Sequence, residues 1–165
     1  MPELQLLRDD HAKALLDFER ENRAYFASLV PDRGDQYFDR FDERHGELLA
    51  EQDAGLHFFH LLVAEDGAIL GRVNLIDVAD GSAELGYRIA ERATGRGRAT
   101  AAVRAVCDLA VERYGLRDLR AVTTLDNVGS RTVLARTGFI EAGELDVAGR
   151  PGIRFVRDLR REPGP

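Results

Sequence analysis

The sequence predicts an α+β domain: one mixed, mostly antiparallel sheet of about seven strands with helices on both faces, an α/β/α layering. Three observations predict it. A short strand is followed by two helical stretches rich in acids. Three strand-like runs separated by turn signals come next. A single strand–loop–helix–strand passage, from "AELGYRIA" to "LRAVTTL", then sits among antiparallel hairpins. Such a passage joins parallel strands by a crossover, so one parallel pair should flank it.

The elements follow in order. "LQLLR" is the first strand. "DDHAKALLDFERENRAYFASL" places Ala12, Leu15, Leu16, Phe18, Tyr25, Phe26 and Leu29 at helical spacing, and Asp9 or Asp10 can cap it. Pro31 and Gly34 break that helix. A second helix is expected from about Asp35 to Gln52 on Tyr37, Phe41, Leu48 and Leu49. "HFFHLLVAE" and "AILGRVNLIDV" read as strands joined by the "EDG" turn, and "DGS" turns into "AELGYRIA". A glycine–arginine loop opens a helix from about Gly97 to Tyr114. After "LRAVTTL" come a short helix in "NVGSRTVLARTG", then "FIEAGELDV" and "IRFVRDL" across an "AGRPG" turn. Residues 1–160 are expected to form one domain, with 161–165 as a frayed tail.

Composition bounds the function. A chain of 165 residues suits one domain. With 44% hydrophobic and 32% charged residues it reads as soluble and globular. No apolar run approaches the ~20 residues of a membrane span, and the first residues lack the pattern of a secretory signal. The single cysteine, Cys107, cannot form an internal disulfide, and no Cys/His set has zinc spacing. A cytoplasmic protein without a metal, not acting on membranes, is the expectation, as monomer or homodimer. The net charge of −6 argues against nucleic-acid binding. The charge is uneven: Asp9 to Asp53 holds 13 acidic and 6 basic residues, a local excess of −7.

The stretch "RATGRGRAT" holds the clearest chemistry. A glycine-rich turn that opens a helix offers backbone N–H groups to an anion, and the helix dipole adds about half a positive charge there. Gly95 and Gly97 let a ligand approach the backbone, and Arg92, Arg96 and Arg98 supply charge-assisted donors. The ligand should carry phosphate. A nucleoside-triphosphate loop needs a Gly-Lys-Ser/Thr ending that is absent here. The dinucleotide fingerprint needs a third glycine where Thr100 stands.

"RATGRGRAT" matches Arg/Gln-x-x-Gly-x-Gly-x-Ala, and so resembles the pyrophosphate loop of the GNAT family of N-acetyltransferases. "DNVGSRTVLARTGF" is similar to that family's next signature. "ELGYRI", "GRGRAT", "LDN..S" and "TGF" resemble the RimJ/RimL branch, the ribosomal-protein N-terminal acetyltransferases and their many relatives, whose acceptors vary. The resemblance implies the GNAT fold, with acetyl-CoA between two splayed parallel strands, here "AELGYRIA" and "LRAVTTL". The pantetheine arm would lie along the first strand near Ile89. Its phosphates would meet Arg92, Gly95, Arg96, Gly97, Arg98, Ala99 and Thr100. Gly86, inside that strand, is a candidate bulge that bends it away from its neighbour.

Acetyl transfer to an amine needs a proton removed from the amine and a departing thiolate stabilised. By resemblance Glu91 is the candidate base, and Asn127 would hold the pantetheine arm. The tyrosine that many members use as acid is replaced by Leu134, and Ser130 is the candidate hydroxyl in its place. The alternative is that Asp126 or Asn127 is the helix cap, with Ser130 merely in the first turn. Cys107 lies on an apolar stripe and reads as core. His45, His57 and His60 also read as core or surface residues.

In this fold the first two helices wall the acceptor cleft, so the acidic segment is expected to attract a cationic amine. Tyr25, Phe26, Tyr37, Phe38 and Phe41 are candidates to line that cleft. The favoured reading is an acetyl-CoA-dependent N-acetyltransferase acting on a protein N-terminal amine. Two others stay open: the same chemistry on a small amine (amino acid, polyamine or antibiotic), and a non-catalytic acyl-CoA-binding module.

Overall fold

The computed structural model describes residues 2–161. Beyond Arg161, the expected tail lies outside the described residues. β1 (Glu3–Leu6) leads through a 3-10 turn at Asp9–His11 into α1 (Ala12–Glu21) and α2 (Arg23–Ala27). α3 (Asp35–Asp39) and α4 (Phe41–Asp53) follow, then β2 (Phe58–Val63), β3 (Ile69–Ala79) and β4 (Ser82–Ile89). The crossover helix α5 (Arg98–Glu112) joins β4 to β5 (Asp118–Thr124). α6 (Val128–Arg136), β6 (Ile140–Val147) and β7 (Arg150–Asp158) complete the chain.

Each of the two helices expected before β2 is divided. The first is interrupted at Asn22, whose Nδ2 donates to the Phe18 carbonyl at 2.9 Å. A side chain that bonds nearby backbone competes with the helix. The second turns at Arg40. α3 buries none of its residues, and the turn lets Phe41 enter the core at 4% exposure.

The sheet has seven strands in the order β1-β2-β3-β4-β5-β7-β6. Every neighbouring pair is antiparallel except β4–β5, the pair joined by the crossover. The hairpin between β3 and β4 turns through Asp80 (φ 52°) and Gly81 (φ 76°). Two residues with positive φ match the twist of the strands they join.

Two apolar clusters cover the sheet. α5 and α6 contribute Val103, Val106, Cys107, Ala110 and Leu134 to one, against Leu75, Leu85 and Leu119. α1, α2 and α4 contribute Leu15, Phe18, Phe26, Phe41 and Leu48 to the other, against Phe59, Leu61 and Ile89. Cys107 is 1% exposed and burial pushes its thiol pKa up, as befits a core residue.

His60 is a buried titratable group of the sheet. Its Nδ1–H donates to the Val73 carbonyl at 3.1 Å, so Nε2 is the acceptor for the Tyr114 hydroxyl at 2.7 Å. Burial holds this neutral ring at a pKa of about 4, against 6.5 when unfolded. The unfolded chain therefore binds the extra proton first. The stabilisation is fully present above pH 6.5 and is lost as pH falls from there through 4. Wild-type protein should lose about 3 kcal/mol between pH 7 and pH 4 through this residue. In urea titrations at both pH values, His60→Gln should show a smaller pH-dependent loss by that amount. Equal losses in the two proteins would remove His60 as the cause.

Candidate functional site

The parallel pair β4–β5 is short. Ser82, Ala83 and Glu84 pair with Asp118, Leu119 and Arg120, and the pairing stops there. β4 runs on to Ile89 against β3, and β5 runs on to Thr124 against β7. The facing edges of the two strands therefore diverge, and leave backbone groups available to an added extended segment. Gly86 does not make this opening by bulging. It pairs in register with Asn74, and the shift between β3 and β4 falls at Ile76/Ala79 instead. What Gly86 supplies is a clear floor, since a Cβ there would meet nothing within 4 Å.

Two cavities meet at the divergence. One, of about 670 Å³, lies toward the start of α5. The other, of about 520 Å³, lies under the loop between α2 and α3. Tyr87, Arg88, Asn127 and Ser130 line both and mark the junction.

The first cavity is built by the glycine loop. Gly95 (φ 77°) and Gly97 (φ 71°) are left-handed. A Cβ at either would meet no atom within 4 Å, so backbone conformation rather than space calls for glycine. Gly97 precedes α5, and no side chain caps that helix. The first helical bond is from the Ala101 amide to the Gly97 carbonyl at 3.0 Å. The amides of Arg98, Ala99 and Thr100 thus have no helical partner and stand at the positive end of the dipole.

Of the residues expected to bind the cofactor, Ile89, Gly95, Gly97, Arg98, Ala99, Thr100 and Asn127 line this cavity, as does Ser130. Arg92 and Arg96 are exposed and are not among its lining residues. Glu91 is also exposed and lines neither cavity, although its backbone N–H donates to Asn22 Oδ1 at 3.0 Å. The structure therefore does not bring Glu91 together with Ser130.

Asn127 caps α6, its Oδ1 accepting the Ser130 N–H at 3.1 Å. Its Nδ2 and the second lone pair of its Oδ1 are left for a ligand. Leu134 is 2% exposed and lines the second cavity, so position 134 offers no proton donor there. The hydroxyl that sequence reasoning missed is on β4. Tyr87 lines both cavities together with Ser130, and burial raises its pKa, which keeps the phenol protonated. Its position beside Gly86 was the available signal, but it counts only once the end of β4–β5 pairing is known.

The second cavity reverses the expected sign. None of the acids between Asp9 and Asp53 lines it. Asp42, Glu43 and Glu47 are exposed on α4, where Arg40 and Arg44 pair with the two glutamates at 3.6 and 2.8 Å. The acidic wall is a solvated outer face. Among the described residues, the cavity itself is lined by Arg33, Arg72, Arg88 and Arg150 and by no aspartate or glutamate. Arg150 is paired with Asp126. The other three surround Glu19, a carboxylate only 1% exposed: Arg33 at 2.7 Å, Arg72 at 3.6 Å and Arg88 at 3.8 Å. Burial, then repulsion from Arg33, brings the Arg88 pKa down to about 10.

The aromatic residues divide between two tasks. Tyr25 and Phe26 line the first cavity. Tyr37 lines neither but supports the arginines: Arg72 donates to its hydroxyl at 3.3 Å, and the Arg33 guanidinium lies 4.7 Å from its ring centre. Phe38 and Phe41 pack edge-on against Tyr37.

Residues 3–140 match the family model described as an acetyltransferase (GNAT) domain. The chain is 31% identical over 140 residues to a probable N-acetyltransferase, YjcK, of Bacillus subtilis, covering 80% of this chain and 76% of that protein. Among solved structures it resembles Mycobacterium smegmatis RimJ in complex with CoA-disulfide, at 26% identity and a TM-score of 0.86, over 98% of this chain and 83% of that one. The ribosomal-protein-S5-alanine acetyltransferase of Vibrio fischeri superposes with a TM-score of 0.91 over 99% of this chain and 96% of that one. At 21% identity this second likeness is one of fold. The glycine loop, the diverging strands and the matched family model lead to one assignment: the chain belongs to the GNAT acetyltransferases.

Proposed function

We propose that this acetyltransferase moves the acetyl group of acetyl-CoA directly to a primary amine, and that the amine is a protein N-terminal α-amine. The observation that carries the reading is the through-going gap between β4 and β5, with free helix amides at one mouth and a second cavity at the other. The residues fit acetyl-CoA. The amides of Arg98, Ala99 and Thr100 suit its phosphates. The open edge of β4 suits its amide-bearing arm, and the junction suits its thioester. Acetyl-CoA supplies the activated acetyl group. The RimJ/RimL-like motifs and the likeness to RimJ support the protein N-terminus as acceptor.

The chain's own work is then to bind, orient and move protons. Ser130 and Tyr87 present hydroxyls at the junction, where negative charge develops on sulfur. Asn127 holds the first turn of α6 so that Ser130 faces the gap. At the acceptor side, the positive charge of Arg33, Arg72 and Arg88 disfavours an ammonium ion and so favours the neutral, nucleophilic amine. Glu91, outside both cavities, acts as a base only through water.

Thiol release from acetyl-CoA in the presence of free but not N-terminally blocked peptides tests the reading. Failure to acetylate any free N-terminus would remove the protein acceptor. Gly97→Glu, which adds a side chain at a left-handed position and a charge like that of the ligand, should abolish CoA binding by calorimetry. Unchanged affinity in the folded variant would displace the site from this loop.

Ser130→Ala and Tyr87→Phe should each slow single-turnover transfer with little change in CoA affinity. A hydrogen bond made only in the transition state is worth about 2–4 kcal/mol, on the order of 10–1000-fold. Because the two hydroxyls stand at one junction, the double variant should lose less than the product of the single losses. Wild-type single-turnover rates would leave Ser130 as an ordinary first-turn residue. Glu91→Gln should lower kcat/KM by less than about tenfold, the low side of direct general-base catalysis. A larger loss at unchanged KM would restore it as the proton acceptor.

A further inference from the structure

The arginine cluster is more than the fold needs. Arg72 and Arg88 stand directly opposite each other across β3–β4. Like charges in that relation are destabilising. Arg33 is brought to them by the α2–α3 loop, which Arg23 pins through Asp32 and Asp35, each at 2.8 Å. Three guanidiniums thus share one buried carboxylate. If they served only to neutralise Glu19, both of its oxygens would be bonded. Instead Arg33 alone makes a hydrogen bond, at 2.7 Å, and Oε2 has none.

All three arginines line the second cavity. Arg72 is 4% exposed and its Nε has no hydrogen-bond partner, while it lines the cavity wall. Arg88 lines both cavities and so reaches the junction. Gly86, in the strand between them and the gap, leaves the floor clear. Guanidinium groups recognise planar oxyanions through paired N–H donors. A buried excess of cations favours a ligand that supplies the missing negative charge.

We infer that Arg33, Arg72 and Arg88 form an anion subsite for the acceptor, so that the amine entering the β4–β5 gap carries a carboxylate. The inference rests on the transferase reading above and narrows it. The shared chemistry has two sources: a peptide with an acidic residue close behind its N-terminus, or a free amino acid. A polyamine carries the wrong charge for this cavity.

The test compares acceptors with the wild-type protein and acetyl-CoA. The panel is a peptide with Asp or Glu at its second and third positions, the same peptide with Asn or Gln there, free aspartate and glutamate, and spermidine. The acidic peptide should exceed its amide isostere in kcat/KM by about tenfold or more, the worth of a hydrogen bond to a charged group. Transfer to the free amino acids above either peptide supports the subsite and marks the small molecule as its source. Arg33→Gln should collapse the acid-over-amide ratio toward one, with calorimetric CoA affinity as the check of folding. Calorimetry on the CoA-bound wild type should show the N-acetylated acidic peptide binding more tightly than its amide isostere, independently of turnover. A ratio near one in the wild type, or a preference for spermidine, overturns the anion subsite and leaves the transferase reading in place. Transfer to no amine in the panel overturns both.

Discussion

The site exists because β4 and β5 stop pairing after Glu84 and Arg120. A parallel pair normally satisfies both inner edges along its length. Here the crossover through α5 fixes the two strands side by side at one end, and outer partners hold each strand beyond that point. The divergence creates both cavities at once. It also places the start of α5 at one mouth and the start of α6 at the other wall. Glycines at 95 and 97, the cap at Asn127 and the hydroxyl of Ser130 acquire meaning only relative to that opening.

Charge divides the cleft into two positive halves with different origins. Toward α5 the positive potential comes from backbone amides and helix dipole, reinforced by Arg98. Toward the α2–α3 loop it comes from guanidiniums packed around a buried glutamate. The second source is more expensive, because cations out of water need compensation. On the proposed reading its return is double: it lowers the proton affinity of an entering amine and selects the group attached to that amine. An exposed Glu91 is consistent with this division, since a strong base at the gap is less needed where the field already favours the neutral amine.

Much of this was legible in the sequence, and what was not follows a physical pattern. Order and type of elements, the glycine loop and a cap at Asp126 or Asn127 depend on neighbours within a few positions, and the parallel pair follows from the order of elements. Helix breaks at Asn22 and Arg40 were not legible. Asn22 breaks its helix while bonding residue 91, far along the chain. The arginine cluster was invisible for the same reason, being assembled from positions 19, 33, 72 and 88. Counting charge over Asp9 to Asp53 pointed the other way, because the count adds exposed acids of α4 to Glu19, the one acid that faces inward at this cluster. Net charge of a segment describes its field at a distance, not the sign of the pocket it walls.

What keeps the gap open is found at its outer sides. β4 is fixed at its end by the Ala90 amide on the Leu70 carbonyl at 2.8 Å and the Glu91 amide on Asn22 Oδ1 at 3.0 Å. β5 is drawn the other way by β7, where Thr124 pairs with Gly152. A Cβ on Gly152 would collide with the Val147 side chain and press on the Thr123 carbonyl, so glycine there lets β7 approach β5 closely. The first anchor lies outside both cavities, whereas Thr123, Thr124 and Val147 of the second also line the cavity under the α2–α3 loop. Asn22, however, joins the helices that wall the acceptor cavity to the first residue before the glycine loop, so one buried side chain sets the relation between the two mouths. The width available to an acyl chain and an amine is therefore a property of tertiary anchors on either side, and the strand pairing that ends at Glu84 only fixes where the opening begins.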